Sequence, residues 1–159
     1  MFTTILGIPA HPLLIHAAIV FVPLLIAAAV VYALWPAIRN RIDWVVAVLA
    51  IAAPFSVWFA KVSGQNFRQR LINRNLTSPQ VLVKINQHQS YGTTALWWTI
   101  GLAVLALLML GYARSRRGKS VSMPLWAASI IVTVVLAGFT GYYIFRTGDT
   151  GAHIVWTGF

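Results

Sequence analysis

The sequence predicts an all-α, polytopic membrane protein built as a four-helix transmembrane bundle. Of its 159 residues, 59% are hydrophobic and only 9% are charged, whereas a soluble domain carries about 25% charged residues. The hydrophobic residues form four blocks, and each approaches the roughly 20 apolar residues that a helix needs to cross a bilayer. Backbone groups in lipid must be hydrogen-bonded within the spanning segment, so each block is predicted to be helical. We treat residues 1–159 as one transmembrane domain without internal repeats.

The predicted spans contain no Asp, Glu, Lys or Arg. They cover about residues 12–35, 44–60, 93–112 and 124–145. Pro12 and Pro124 suit the first turn of a helix, where no intrahelical N–H bond is lost. Pro36 is expected to end the first span. Pro23 and Pro54 fall inside spans and are expected to kink their helices.

The long connection 61–92 has structural signals of its own. Its segment 65–75 mixes apolar residues with arginines, which is typical of a short helix lying in the membrane interface. Ser78 followed by Pro79 indicates a helix N-cap and first-turn residue. The third helix is therefore predicted to begin near residue 79, outside the membrane.

The distribution of positive charge predicts the orientation. We call the side on which the chain begins side A and the opposite side side B. The two short loops on side B, residues 37–43 and 113–122, are rich in arginine. Short basic loops favour the cytoplasm, so both termini are predicted to be extracytoplasmic. Because positive charge lies on both sides of the membrane, we expect the lipid bilayer and not a nucleic acid as partner.

Several enzyme classes are excluded by what the sequence lacks. It has no Cys, which excludes disulfides, Fe–S clusters and thiol catalysis. Asp43 and Asp149 are the only carboxylate side chains and are predicted to lie on opposite sides, which excludes a two-carboxylate hydrolase. There is no nucleophile elbow, Walker motif or dinucleotide fingerprint. We therefore expect no stand-alone hydrolytic or transferase activity.

All four histidines are predicted to lie on side A. His11 and His16 open the first helix, His88 precedes the third span, and His153 follows the fourth. Ionisable groups near membrane depth are costly and often functional, and imidazole is a strong transition-metal ligand. A spacing of five residues separates side chains by about 140° on a straight helix. We expect His11 and His16 to converge only because Pro12 leaves His11 free in the helix cap.

The histidines predict a pocket in the outer leaflet, with three interpretations open. In the first, His88 pairs with His16 or His11, and the two imidazoles hold one haem b between them. In the second, these three histidines bind a non-haem Cu or Zn ion. In either case Asp149 and His153 are candidates for residues that orient a ligand through a hydrogen bond. In the third, no cofactor is bound and the chain is a structural or accessory subunit of a larger membrane complex.

The N-terminal motif indicates a family. The segment GIPAHPLLIH at 7–16, continuing to FVPL at 21–24, resembles a bacterial four-helix membrane family catalogued as domain of unknown function 2231. The resemblance spans nearly the whole chain and includes His88 and the closing segment GDTGAHIVW at 148–156, although His153 is not part of the family's pattern.

The resemblance also implies a location and a process. It implies a bacterial inner-membrane protein. Some relatives resemble fusions to Rieske or cytochrome c domains, which implies membrane electron transfer and respiratory or other membrane complex subunits as partners. A homo-oligomer is an additional expectation, because glycines on the helices let backbones approach closely.

Overall fold

The structure, a computed structural model, describes residues 4–5, 8–120 and 122–157. Its four helices are α1 (Ala10–Leu34), α2 (Arg39–Asn73), α3 (Pro79–Ser115) and α4 (Met123–Thr157). Two short strands, β1 (Thr4–Ile5) and β2 (Ile8–Pro9), pair antiparallel before α1, and one 3-10 turn (Pro36–Ile38) joins α1 to α2. Helices pack against their neighbours in sequence, and α4 closes the bundle against α1.

All four helices are long and apolar enough to cross a membrane. α1 has 25 residues, close to the roughly 20 that a bilayer requires. The other three have 35, 37 and 35 residues and so extend beyond the bilayer. Large apolar side chains such as Ile51, Val104 and Ile131 are exposed on the outer surface, as expected for helices that face lipid. The prediction of an all-α polytopic bundle is confirmed.

The second helix is longer than the sequence analysis predicted. We expected a span ending near residue 60 and a separate interfacial helix over 65–75, but α2 continues unbroken to Asn73. No proline interrupts this stretch, and Gly64 alone does not end a helix because its propensity cost is only about 1 kcal/mol. α3 begins at Pro79 with Ser78 as its N-cap, whose side chain accepts a backbone N–H at 3.4 Å.

The buried core contains an internal repeat. Buried positions of α1 recur in α3 at one constant spacing along the chain, and buried positions of α2 recur in α4 at a second constant spacing. The equivalent pairs of α1 and α3 include Ala18 and Ala95, Val22 and Thr99, Leu25 and Leu102, and Ala29 and Ala106. The equivalent pairs of α2 and α4 include Val46 and Thr133, Ala50 and Ala137, and Ala53 and Thr140.

The bundle therefore consists of two helical hairpins, α1–α2 and α3–α4, whose buried positions correspond helix by helix. This is a repeat of buried positions in the structure, whereas the sequence was expected to show no internal repeat. The connection within the second hairpin is longer than that within the first. The difference in residue number between equivalent positions is therefore larger for α2 and α4 than for α1 and α3.

Asp43 organises the side B end of the bundle. This residue is only 4% exposed. Its carboxylate accepts hydrogen bonds from the Tyr32 hydroxyl at 3.0 Å, from Arg114 Nε at 3.0 Å and from Arg117 Nη2 at 2.8 Å. These contacts join α1, α2, α3 and the α3–α4 connection.

Arg39 and Trp126 close the same end. Arg39 donates to the carbonyl oxygens of Tyr32 at 2.9 Å and Ala33 at 3.1 Å, and Trp126 Nε1 donates to that of Ala33 at 3.0 Å. The Arg39 guanidinium also lies 3.7 Å from the centroid of the Trp126 ring. These side chains supply donors to carbonyls near the end of α1, where the helix itself provides too few.

Candidate functional site

The side A end of the bundle brings His11 and His88 together. Their ring centroids are 6.3 Å apart and their planes meet at 81°. His11 lies in the first turn of α1 and His88 lies in α3, so the two rings approach each other from different hairpins. Both side chains are partly buried, and the two residues occupy equivalent positions of the repeat. We call these two residues the histidine pair.

The ring of His11 is held by α2. Its Nδ1 lies 3.0 Å from the carbonyl oxygen of Ala60 and 3.1 Å from Ser63 Oγ. A carbonyl oxygen can only accept a hydrogen bond, so Nδ1 carries the proton. The Cε1 atom packs on Gly64, where an added Cβ would lie 3.0 Å away. Phe67 stacks on the ring at 6.4 Å between centroids.

The ring of His88 is held by α4 in the same way. Its Nδ1 lies 2.9 Å from the carbonyl oxygen of Thr147 and 3.3 Å from Thr150 Oγ1. Its Cε1 atom packs on Gly151, where an added Cβ would again lie 3.0 Å away. Each histidine thus rests on a carbonyl, a hydroxyl one turn later and the glycine that follows. We call this arrangement a cradle.

The cradles decide which nitrogen of each ring is available. Because Nδ1 donates its proton to a carbonyl, Nε2 carries the lone pair of the neutral imidazole. Within residues 11–120 and 122–156, Nε2 of His11 and of His88 makes no hydrogen bond. The histidine pair can therefore offer two neutral imidazole nitrogens, one from each hairpin, to a metal ion or a haem iron.

His16 does not join the histidine pair. Its side chain is exposed, and its Nδ1 lies 2.6 Å from the carbonyl oxygen of Pro12 in its own helix. We expected His11 to be free in the helix cap, but α1 begins at Ala10, so helical geometry directs His11 and His16 to different faces. No group of three or more metal-ligating side chains occurs in the part of the chain that the structure describes, so the three-histidine metal site is not assembled.

Asp149 and His153 hydrogen-bond neither member of the histidine pair. Nδ1 of His153 lies 2.9 Å from the Asp149 carbonyl oxygen and 3.3 Å from its carboxylate. The Asp149 carboxylate also lies 3.5 Å from Arg146 Nη1. Asp149 follows Thr147 by two residues, about 200° around α4, and therefore lies on a different face from the cradle. Backbone carbonyls take the orienting role that we expected of these two residues.

The sequence analysis missed the residues that form the cradles. They are Ala60, Ser63 and Gly64 in α2, and Thr147, Thr150 and Gly151 in α4. Their shared signal is a hydroxyl residue followed directly by glycine, which occurs at equivalent positions of the two helices. Neither copy is distinctive by itself, and only the structural repeat relates them.

A small substitution tests the close contact between each glycine and its histidine. Gly64→Ala and Gly151→Ala each place a methyl group 3.0 Å from Cε1 of a histidine ring. The ring cannot move away from the methyl group without lengthening the hydrogen bond from its Nδ1 to the carbonyl oxygen. We expect each variant to lower the free energy of unfolding by about 1–3 kcal/mol, the usual cost of overpacking. The measurement is unfolding of the purified protein in detergent.

Gly138→Ala and Gly148→Ala are the matched controls, because no atom lies within 4 Å of a Cβ at either position. Both controls are expected to be neutral or stabilising, since alanine is the better helix former by about 1 kcal/mol. Equal effects at all four glycines would show that the cradle contacts do not matter.

No curated protein and no solved structure is significantly similar to the chain. A family model described as "Predicted membrane protein (DUF2231)" matches residues 7–158. The match includes all four helices, both histidines of the pair and both cradles. The resemblance inferred from the N-terminal motif is confirmed. The chain therefore belongs to the DUF2231 family of predicted membrane proteins.

Proposed function

We propose that this multi-pass membrane protein binds haem b through His11 and His88 and takes part in membrane electron transfer. The observation that supports the proposal is the pair of equivalent cradles. Each cradle occupies Nδ1 of one histidine and leaves Nε2 available, and the two ring centroids are 6.3 Å apart. Two histidines from different helices are a common haem ligand set in helical bundles.

The chain's own residues have distinct roles in this proposal. His11 and His88 would bind iron through Nε2. The carbonyl oxygens of Ala60 and Thr147, at 3.0 and 2.9 Å from Nδ1, orient the rings and increase their basicity as ligands. Haem b, when bound, supplies a centre that accepts and releases one electron.

The charge pattern supports a location for this site. The arginine-rich loops lie at the end of the bundle opposite the histidine pair, which favours a cytoplasmic side B. We propose that the protein lies in the bacterial inner membrane with both termini and the histidine pair on the extracytoplasmic side. Redox subunits of a respiratory or other membrane complex would be its partners there.

An accessory subunit without a cofactor is the second candidate. It is favoured by the same hydrogen bonds, because each one joins two helices: His11 joins α1 to α2, and His88 joins α3 to α4. In this alternative the histidines hold each hairpin together and bind nothing.

The absorption spectrum of the purified protein separates the two candidates. We expect a Soret band, a sharper α-band on reduction and one haem per chain, either as isolated or after titration with haemin. A protein that takes up no haem under either condition would overturn the proposal. Stoichiometric Cu or Zn in such a colourless protein would indicate a non-haem site, and the absence of both would favour the accessory subunit.

A further inference from the structure

We propose that side B carries a binding site for the phosphate group of an anionic phospholipid, formed by Arg39, Arg114 and Arg117. The site lies at the opposite end of the bundle from the histidine pair and does not depend on haem binding. Three observations support the proposal: a cleft lined by arginines, an excess of positive charge in that cleft, and exposed tryptophans beside it.

A cleft of about 90 Å³ lies between the α1–α2 connection and the end of α3. Three arginines line it, Arg39, Arg114 and Arg117, together with Asp43 and the Tyr32 and Asn40 side chains. The lining is therefore basic and rich in hydrogen-bond donors, as a site for an oxyanion requires. We call it the arginine cleft.

The only carboxylate that lines the arginine cleft, that of Asp43, already accepts hydrogen bonds at both oxygens. One oxygen of Asp43 accepts from the Tyr32 hydroxyl, and the other accepts from both Arg114 and Arg117. Arg39 instead donates to backbone carbonyls, which carry no net charge. One negative charge therefore faces three positive charges, and the cleft retains an excess of positive charge.

Asp43 leaves much of both neighbouring guanidinium groups available. Arg114 bonds the carboxylate through Nε and Arg117 bonds it through Nη2, while their side chains remain 50% and 56% exposed. Among the described residues, their other guanidinium nitrogens have no hydrogen-bond partner. The carboxylate thus orients two guanidinium groups whose free N–H donors can bind phosphate oxygens in a fork.

The depth of the cleft favours a lipid over a free phosphate. Trp35 and Trp44 are 61% and 66% exposed, and each is adjacent in sequence to a residue that lines the cleft, Pro36 and Asp43 respectively. Exposed tryptophans anchor helices at the membrane–water interface. Basic side chains at this level meet the phosphates of anionic lipid headgroups, whose local concentration far exceeds that of a soluble anion.

Two substitutions in one loop provide the test. Arg117→Gln and Arg116→Gln each remove one positive charge, but only Arg117 lines the cleft, and the Arg116 guanidinium lies 5.8 Å from the Tyr112 ring. The thermal unfolding midpoint is measured in detergent with added phosphatidylglycerol, with phosphatidylcholine, with millimolar inorganic phosphate and without any addition. Each shift is taken from the variant's own lipid-free midpoint, so that a loss of basal stability does not affect the comparison.

We expect phosphatidylglycerol to raise the midpoint of the unmodified protein by several degrees more than phosphatidylcholine does. Arg117→Gln should lose at least half of this difference, and Arg116→Gln should retain it. Equal losses in both variants would indicate diffuse electrostatic attraction and overturn the site. No specific shift from phosphatidylglycerol would also overturn it. An equal shift from millimolar inorganic phosphate would overturn the assignment to a lipid.

Discussion

His88→Ala is expected to abolish the haem spectrum that the proposed function predicts, and His11→Ala is expected to do the same. The two histidines occupy equivalent positions of the repeat and make equivalent Nδ1 hydrogen bonds. We therefore expect both to be required as ligands. Loss of a residue that merely supports a metal ligand lowers metal affinity about 10–100-fold. Loss of a ligand itself should lower haem affinity at least about 100-fold, measured by titration of the purified apoprotein with haemin.

His16→Ala is the matched control for the ligand variants. His16 lies five residues from His11 on the same helix, but it is exposed and hydrogen-bonded to the carbonyl oxygen of Pro12. Its replacement should leave haem content, the reduced spectrum and stability unchanged. If His16→Ala removes as much haem as His88→Ala, the ligand assignment is wrong. If His11→Ala and His88→Ala both retain the full spectrum, the histidine pair is not the haem site.

The double substitution Arg114→Gln and Arg117→Gln is expected to lower the free energy of unfolding by about 3 kcal/mol. Breaking a buried ion pair by removing one partner usually costs about 3–5 kcal/mol, because the remaining charge is buried and uncompensated. Asp43 is 4% exposed and, among the described residues, would retain the hydrogen bond from Tyr32 and the charge of Arg39, which donates to backbone carbonyls and not to the carboxylate. We expect the lower end of the range, since both arginines are half-exposed and water screens their charge.

Two comparisons show whether the buried carboxylate causes this loss. Adding Asp43→Asn to the double variant removes the uncompensated charge and should restore most of the stability. The pair Arg41→Gln and Arg116→Gln removes the same total charge from exposed positions and should change stability by less than about 1 kcal/mol. If that pair costs as much as the double variant, general charge loss and not Asp43 is responsible.

The two hairpins carry matching residues at one end of the bundle and different residues at the other. At side A both hairpins contribute the same elements, a histidine and a cradle. At side B the equivalence is broken, because Arg39 and Asp43 in the first hairpin correspond to Trp126 and Ile130 in the second. A single carboxylate among several arginines produces a one-sided, basic cleft.

The sequence alone determined the class of the protein, its four helices and its family. These follow from local properties: apolar runs long enough for a bilayer, prolines at helix starts and the short motif around His11. The same local reasoning placed the end of the second helix too early, because charged residues mark the limit of the membrane and do not end a helix. α2 continues to Asn73, beyond the predicted span.

Only the tertiary structure decided which histidines meet and what holds them. His11 and His16 are close in sequence, but α1 begins at Ala10 and directs them to different faces. His11 and His88 are far apart in sequence and come together because the two hairpins pack against each other. Each cradle lies in the helix that pairs with the histidine's own helix within a hairpin. Such long-range contacts cannot be inferred from the local pattern of hydrophobic and polar residues.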